Sequence, residues 1–404
     1  MIIRKENIYN WYYIGILLVL AVASYLAMPD LDNTAEAGTG KSFLAVVGLA
    51  VIQIPLLIYI VSQRIKSGMQ QPKFIIYYNI YFCWMLAITL FNDNVHNIFG
   101  MTTLAMTILV VPFILSTSYY RARYSDLDKW FYMAVIIIML LIAIQYKNLY
   151  SIVNMIGDEN THIGVSYFPL FILPILLLPS SRIIRYISII ITAIIIISSI
   201  KRGGLIALGS SLLIYVFIKQ SIGNKNKIRQ WIILGSVILL MTGVLYYLDQ
   251  SEDNDVVERI SNIQDDGGSG RDVIWEDTFQ NIITQDWGSR MLGNGYRSAQ
   301  TVSKYHLPAH NDILEIWYDF GGIGLILYGL AFFSLCAYTI RLIKRKSQYA
   351  PHMAMTIIFY IIFSMTSIVI LYFWLILLMF TIGILSGLAN KELEEKTNKK
   401  QIAE

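Results

Sequence analysis

The chain has 404 residues, of which 56% are hydrophobic and only 14% charged, and its mean hydropathy is +0.57. That composition excludes a water-soluble globular domain and a disordered chain, and it puts the protein in the polytopic membrane class. The net charge of +4 comes from Lys and Arg in the connections between apolar segments, where they line a membrane surface; this argues against a nucleic-acid partner.

A membrane-crossing helix needs about 20 mostly apolar residues to pass roughly 30 Å of hydrocarbon. In chain order, spans are predicted at 11–28, 43–62, 74–91, 98–118, 130–146, 163–179, 183–200, 203–218, 231–248, 313–340, 352–369 and 371–389. The expected fold is therefore all-α, with about twelve transmembrane helices in a single integral membrane domain over 1–404. Eleven spans stay possible, because 352–389 is one apolar run with no charged break; its turn is predicted at Ser367 to Tyr372. The first segment is read as a retained span, since it is too long for a signal peptide and Met28-Pro29-Asp30 makes a poor cleavage site. Cys83 and Cys336 both fall inside spans and read as packing residues rather than as a disulfide. Residues 391–404 form a charged tail without an apolar face, expected to fray at the cytoplasmic side.

Short cytoplasmic loops collect Lys and Arg. With the N-terminus inside, 22 of the 31 basic residues fall on the inner side, and the bias alternates loop by loop. Both termini are then cytoplasmic and the one long polar connection, 249–311, faces outward. Cysteine labelling of intact cells checks this, using a Cys at position 251 in a background without Cys83 and Cys336. Labelling is expected without disruption of the inner membrane; labelling only after permeabilisation reverses the orientation. A second outward connection, Gln145 to His162, is predicted to carry a short interfacial helix at Tyr150 to Ile156.

The long connection begins with an acidic run, Asp249 to Asp266, read as a solvated face or a lid. Gly267-Gly268-Ser269-Gly270 makes a flexible turn. Asp272 to Gln285 is predicted as a helix, with Trp275, Phe279, Ile282 and Ile283 on one packed face. Gly288, Gly293 and Gly295 are expected to end that helix and loosen the chain. Tyr296 to Pro308 reads as irregular, and the next helix starts at Asp312.

Three places in this region could carry chemistry, each with a plainer reading beside it. Lys201-Arg202-Gly203-Gly204 joins two spans by a tight outward turn. It is either a snorkelling anchor or a ligand-facing pair beside glycines that admit close approach. Arg271, after Ser269-Gly270, is either a solvated or ion-paired charge or a ligand contact. His310-Asn311 is either a helix cap or a functional pair at the point where the chain re-enters the membrane. Within the spans the only acidic side chains are Glu315 and Asp319, both within two turns of the outward end. Ion-coupled transport ordinarily places ionisable residues near the midplane, so a pump or ion-coupled carrier is disfavoured. No P-loop, dinucleotide fingerprint, HExxH or metal-type Cys/His spacing occurs, so no cofactor and no metal are expected.

Taken together and in this order, several short motifs resemble the O-antigen ligase and O-antigen polymerase superfamily of bacterial membrane glycosyltransferases. They are Ser199-Ile200-Lys201-Arg202-Gly203-Gly204, Ser269-Gly270-Arg271 with Trp275, Leu292-Gly293-Asn294-Gly295-Tyr296, and Ala309-His310-Asn311 running into Glu315 and Gly321-Gly322-Ile323-Gly324. The resemblance covers about 190–330. It implies a lipid-dependent glycosyltransferase fold of the GT-C-like type in the bacterial inner membrane, with a large periplasmic loop. The implied donor is a glycan on undecaprenyl diphosphate. The implied acceptor is a sugar hydroxyl on either a lipid-linked repeat unit (polymerase, the preferred reading) or lipid A–core (ligase), and a chain-length regulator is a further possible partner. A flippase or exporter of lipid-linked oligosaccharide is the more distant alternative. On this reading Arg202 and Arg271 clamp the diphosphate, since arginine offers paired planar donors to phosphate oxygens. His310 is the general base for the acceptor hydroxyl, and Asp312 or Glu315 orients or replaces it. Lys201, Asn311, Tyr296 and Arg297 complete the substrate contacts, with Arg290 and Arg297 expected to matter less than Arg202 and Arg271.

Overall fold

The structure is a computed structural model, and it describes residues 71–91, 111–124, 127, 129–156, 167–179, 181–199, 202–223, 235, 271–302, 308–367, 369 and 374–403. The predicted spans at 11–28 and 43–62, the start of that at 98–118 and nearly all of that at 231–248 lie outside these residues. So do the acidic run, the Gly267–Gly270 turn and Lys201.

Every regular element among the described residues is a helix. They are α1 (Lys73–Phe91), α2 (Val111–Tyr124), α3 (Lys129–Ile156), α4 (Phe168–Leu176), α5 (Arg182–Ser198), α6 (Arg202–Ile222), α7 (Arg271–Thr284), α8 (Trp287–Leu292), α9 (Ser298–Val302), α10 (Asp312–Lys344), α11 (Ala350–Thr366) and α12 (Trp374–Ala403). Among the described residues, four stretches are long and apolar enough to cross a membrane: Lys73–Phe91, Gly203–Ile222, Asp312–Lys344 and Leu375–Lys399. Phe131–Ile144 and Ala350–Thr366 are shorter apolar helices. The run 352–389 is two helices, because α11 ends where Ser367 turns to extended backbone and α12 begins at Trp374.

Three local expectations change. Of the predicted span at 163–179, residues 163–166 lie outside the described residues, and the rest holds α4, nine buried residues containing Pro169 and Pro174. At 1.5 Å per residue that is about 14 Å of helix, half a bilayer core. The short interfacial helix expected at Tyr150 to Ile156 is instead the last part of α3, one continuous 28-residue helix. The tail from Lys391 does not fray: α12 continues to Ala403.

The chain falls into two compact units. The first comprises 1–75, 96–191 and 372–404. In it α12 lies along α2, with Gly383 and Gly387 one turn apart against α2 backbone. A Cβ at Gly383 would come 2.6 Å from the Leu115 carbonyl, so small residues set the helix separation. Beyond the apolar part, the Arg123 guanidinium pairs with Glu394, and Asn390 Nδ2 donates to the Tyr119 hydroxyl at 2.8 Å. These tertiary partners, together with the Glu392–Lys396 pair at 2.7 Å, hold the tail helical where its own sequence offers no packing face.

The second unit comprises 76–95 and 192–371 and contains all the described candidate residues. α6 and α10 both pack on α11. Tyr78, Tyr81, Tyr328 and Tyr360 fill the interior between α1, α10 and α11. Their hydroxyls are partly satisfied by one another, with Tyr78 donating to Tyr360 at 3.3 Å. Of the two cysteines, Cys83 is exposed on α1 rather than packed, and both are free thiols.

Candidate functional site

The site is built on the first three turns of α10. Asn311 is its N-cap, with extended backbone (φ −150°, ψ 112°) and a side-chain oxygen that accepts from Ile313 N at 3.0 Å and Leu314 N at 3.4 Å. Capping is therefore the work of Asn311, not of His310. His310 sits one residue earlier with φ 51°, the left-handed region, which for a non-glycine residue needs surrounding structure to hold it.

That structure is visible on both sides of the preceding peptide. Ala309 N donates to Glu315 Oε2 at 2.7 Å, and Trp275 Nε1 donates to the Ala309 carbonyl at 2.7 Å. Ala309 itself is fully buried. The backbone leading into His310 is thus gripped from α10 below and from α7 beside it, while the His310 side chain is half-buried. Arg271 is the first residue of α7, one turn before Trp275 and on the same helical face by its i, i+4 spacing. α7 accordingly joins two of the predicted residues, Arg271 and His310, in one local framework.

Asp312 and Glu315 are both fully buried. Asp312 Oδ1 accepts from Val369 N at 2.9 Å, beyond the end of α11. Both carboxylates hold backbone, which makes each a brace for the loop: Glu315 for the entry to His310, Asp312 for the segment after α11. Among the described residues Glu315 Oε1 has no hydrogen-bond partner.

The other wall is the connection from α8 to α9. Asp286 caps α8, taking Ser289 N at 3.1 Å and the Ser289 hydroxyl at 2.6 Å. These donors hold its exposed carboxyl below the ordinary carboxylate range. After α8 the chain passes Gly293 (φ 93°), Gly295 (φ 96°) and Arg297 (φ 61°). Asn294 donates to the Tyr318 carbonyl through both its backbone N at 3.2 Å and its side-chain nitrogen at 2.9 Å. Gly295 N donates to the Asp319 carbonyl at 2.8 Å.

Those carbonyls are open because α10 breaks at Gly321 (φ 70°, ψ −179°). In an unbroken helix they would accept from Gly322 and Ile323. The two backbones meet so closely that a Cβ at Gly293 would lie 2.6 Å from Gly321 N, and one at Gly321 would lie 2.6 Å from Gly293 N. Gly293, expected to loosen the chain, therefore does the reverse: together with Gly321 it permits a tight backbone-to-backbone dock.

The Asp319 carboxylate closes the arrangement. Its Oδ2 accepts from Arg297 N at 2.7 Å and its Oδ1 from Ala299 N at 2.8 Å. Tyr296 is buried, and the Arg297 guanidinium lies 5.8 Å from the centre of the Tyr296 ring. Arg290 is occupied elsewhere, donating to the carbonyls of Ile283 and Gln285 at the end of α7.

The structure thus gathers Arg271, Tyr296, Arg297, His310, Asn311, Asp312 and Glu315 within one unit. Arg202 begins α6, but its side chain and all of Lys201 lie outside the described residues. Among the described residues no three His, Cys, Asp or Glu side chains cluster as metal ligands. Sequence reasoning gave Asp319 no role, although its i, i+4 spacing from Glu315 on a span end was a usable signal. It also placed the packed face of α7 one residue off. The buried stripe is Ile274, Thr278 and Ile282, while Phe279 and Ile283 are each 40% exposed and Phe279 meets Trp317 edge-on.

Compared with known proteins, residues 187–329 match the family model described as O-antigen ligase. No curated protein matches the chain. The matched segment coincides with the stretch that carries the motif resemblance and contains every described residue of the site. Residues 187–329 are therefore similar to the O-antigen ligase family, which supports the resemblance of this segment to the O-antigen ligase and polymerase superfamily.

Proposed function

We propose that the protein is a membrane glycosyltransferase that moves a glycan from undecaprenyl diphosphate to a sugar hydroxyl at the periplasmic face of the inner membrane, acting as a surface-polysaccharide polymerase. The observation that carries this reading is the double grip on the Ala309 peptide by Glu315 and Trp275, which supports His310 as a fixed base beside the helix that bears Arg271.

In the proposed reaction the acceptor oxygen attacks the anomeric carbon of the donor glycan. The bond from that carbon to the diphosphate oxygen breaks, His310 takes the acceptor proton, and undecaprenyl diphosphate leaves as the anion. Arg202 and Arg271 stabilise the negative charge that develops on the leaving diphosphate. Lys201, Tyr296 and Arg297 contact the donor or the acceptor. Asn311, Asp312 and Glu315 hold the loop that presents these groups. This assigns Asn311, Asp312 and Glu315 to positioning rather than to direct substrate contact, in keeping with the backbone N–H groups that each of them accepts.

A second reading, ligation of the glycan to lipid A–core, is favoured by the description of the matched family as O-antigen ligase. Reconstitution of the purified protein with a lipid-linked repeat unit separates the readings. A ladder of lengthened glycan is expected from repeat unit alone. Transfer only when lipid A–core is added makes the protein a ligase. Movement of labelled lipid across the bilayer with no glycosidic bond formed rejects both and makes it a flippase.

A further inference from the structure

Asp319 has a feature that the proposed chemistry does not use. It is a fully buried carboxylate, on the second turn of a membrane span, with both oxygens committed to backbone N–H groups of a single outward loop. Its own carbonyl takes a third N–H from the same loop, that of Gly295. A buried charge at a span end is costly, and here the compensating donors all belong to residues 295–299. The segment it collects includes Tyr296 and Arg297, and Arg297 is held at φ 61°, a backbone conformation that costs energy for a non-glycine residue.

We infer that Asp319 is a positioning residue: it fastens the 293–299 loop to the broken first part of α10 and so presents Arg297 to a lipid diphosphate. The inference rests on the functional reading above and adds to it the residue that sets a third, loop-borne cation beside Arg202 and Arg271. Glu315, one turn earlier on the same face, does the equivalent for the entry to His310 through the Ala309 amide. Two buried carboxylates four residues apart thus hold the two sides of the site, one each, from a single helix face. The dock needs the backbone approach of Gly293 and Gly321, so it fails if either glycine gains a side chain.

The test uses the full-length protein in lipid nanodiscs, with hydrogen–deuterium exchange over residues 293–302 and titration with undecaprenyl diphosphate. Asp319→Asn keeps the shape of the side chain but turns one acceptor into a donor that faces an N–H. Amide exchange at Arg297 and Ala299 is expected to speed up about 10- to 100-fold, the loss of charge-assisted hydrogen bonds. Affinity for undecaprenyl diphosphate should fall about tenfold. In an Arg297→Ala background, which alone should weaken binding by a similar factor, Asp319→Asn should cost no more than about a further twofold, because residues acting as a unit are not additive.

Should Asp319→Asn fail to accumulate in the membrane, Gly293→Ala changes the loop side of the dock and no residue of the span, and is expected to speed exchange at Asn294 and Gly295 with the same loss of affinity. Unchanged exchange in these variants overturns the fastening. Faster exchange with affinity within twofold of wild type, independent losses at Asp319 and Arg297, or a wild-type protein that does not bind undecaprenyl diphosphate overturns the positioning role. Binding that behaves as expected in a protein that transfers no glycan removes the transferase reading and leaves the role of Asp319 standing.

Discussion

His310→Asn should reduce glycan transfer by about 10²–10⁴-fold, the usual contribution of a positioned general base, while the protein still inserts and accumulates. Asparagine is the discriminating substitution because of the backbone. His310 has φ 51°, and asparagine tolerates the left-handed region better than other non-glycine residues. His310→Ala removes the same imidazole but adds backbone strain of roughly 1 kcal/mol or more, so a loss seen with alanine alone would be ambiguous. The capping explanation is already accounted for, since Asn311 satisfies Ile313 N and Leu314 N. Initial rates of glycan transfer in reconstituted vesicles are the measurement. Transfer by His310→Asn at near the wild-type rate would leave His310 structural and open the question of whether another group takes the proton.

Arg271→Lys is expected to lose most activity, with a barrier increase of about 2.7–4 kcal/mol, or about 10²–10³ in rate, by analogy with an oxyanion-hole donor. Lysine keeps the charge but replaces a planar pair of donors with a single point charge, so the change isolates geometry from charge. Arg202→Lys should behave in the same way if both residues clamp one diphosphate. Arg290→Lys is the internal control, because its guanidinium is taken up by the carbonyls of Ile283 and Gln285 at the end of α7. Its expected effect is on the stability of α7 and small on rate. Equal rates for Arg271→Lys and wild type would remove Arg271 from the clamp, and a loss in Arg290→Lys as large as that in Arg271→Lys would point to a general effect on the loop.

The long polar connection shows how far local sequence signals reach. A helix over 272–285 and a new helix at Asp312 were both legible, since apolar periodicity and a capping residue are local signals, and α7 and α10 begin at Arg271 and Asp312. The break between α11 and α12 was legible too, near Ser367. The register of the buried face of α7 was not. Phe279 and Ile283 are at least as apolar as the buried Ile274, Thr278 and Ile282, and the partners that bury Ile282, Ala299 of α9 and Tyr318 of α10, lie outside any local window. The tail after Lys391 was misjudged for a related reason. Its helix draws on Arg123, 271 positions away from Glu394 in the chain, and no window of local sequence contains both.

By itself the sequence determined the membrane class and the family resemblance of the segment that the match over 187–329 covers. Hydropathy, charge bias and short motifs are carried by neighbours along the chain, so they survive without knowledge of the fold. Only the tertiary structure decided what the acidic residues and glycines do. Asp319 meets Arg297 and Ala299 from twenty or more positions away, and Trp275 reaches the Ala309 carbonyl across thirty-four. Gly293 and Gly321 are spaced too far apart to read as a pair until α10 breaks and exposes its carbonyls to the loop. Buried backbone and carboxylate groups must find partners wherever the fold brings them, and that pairing is settled by packing, not by proximity in sequence.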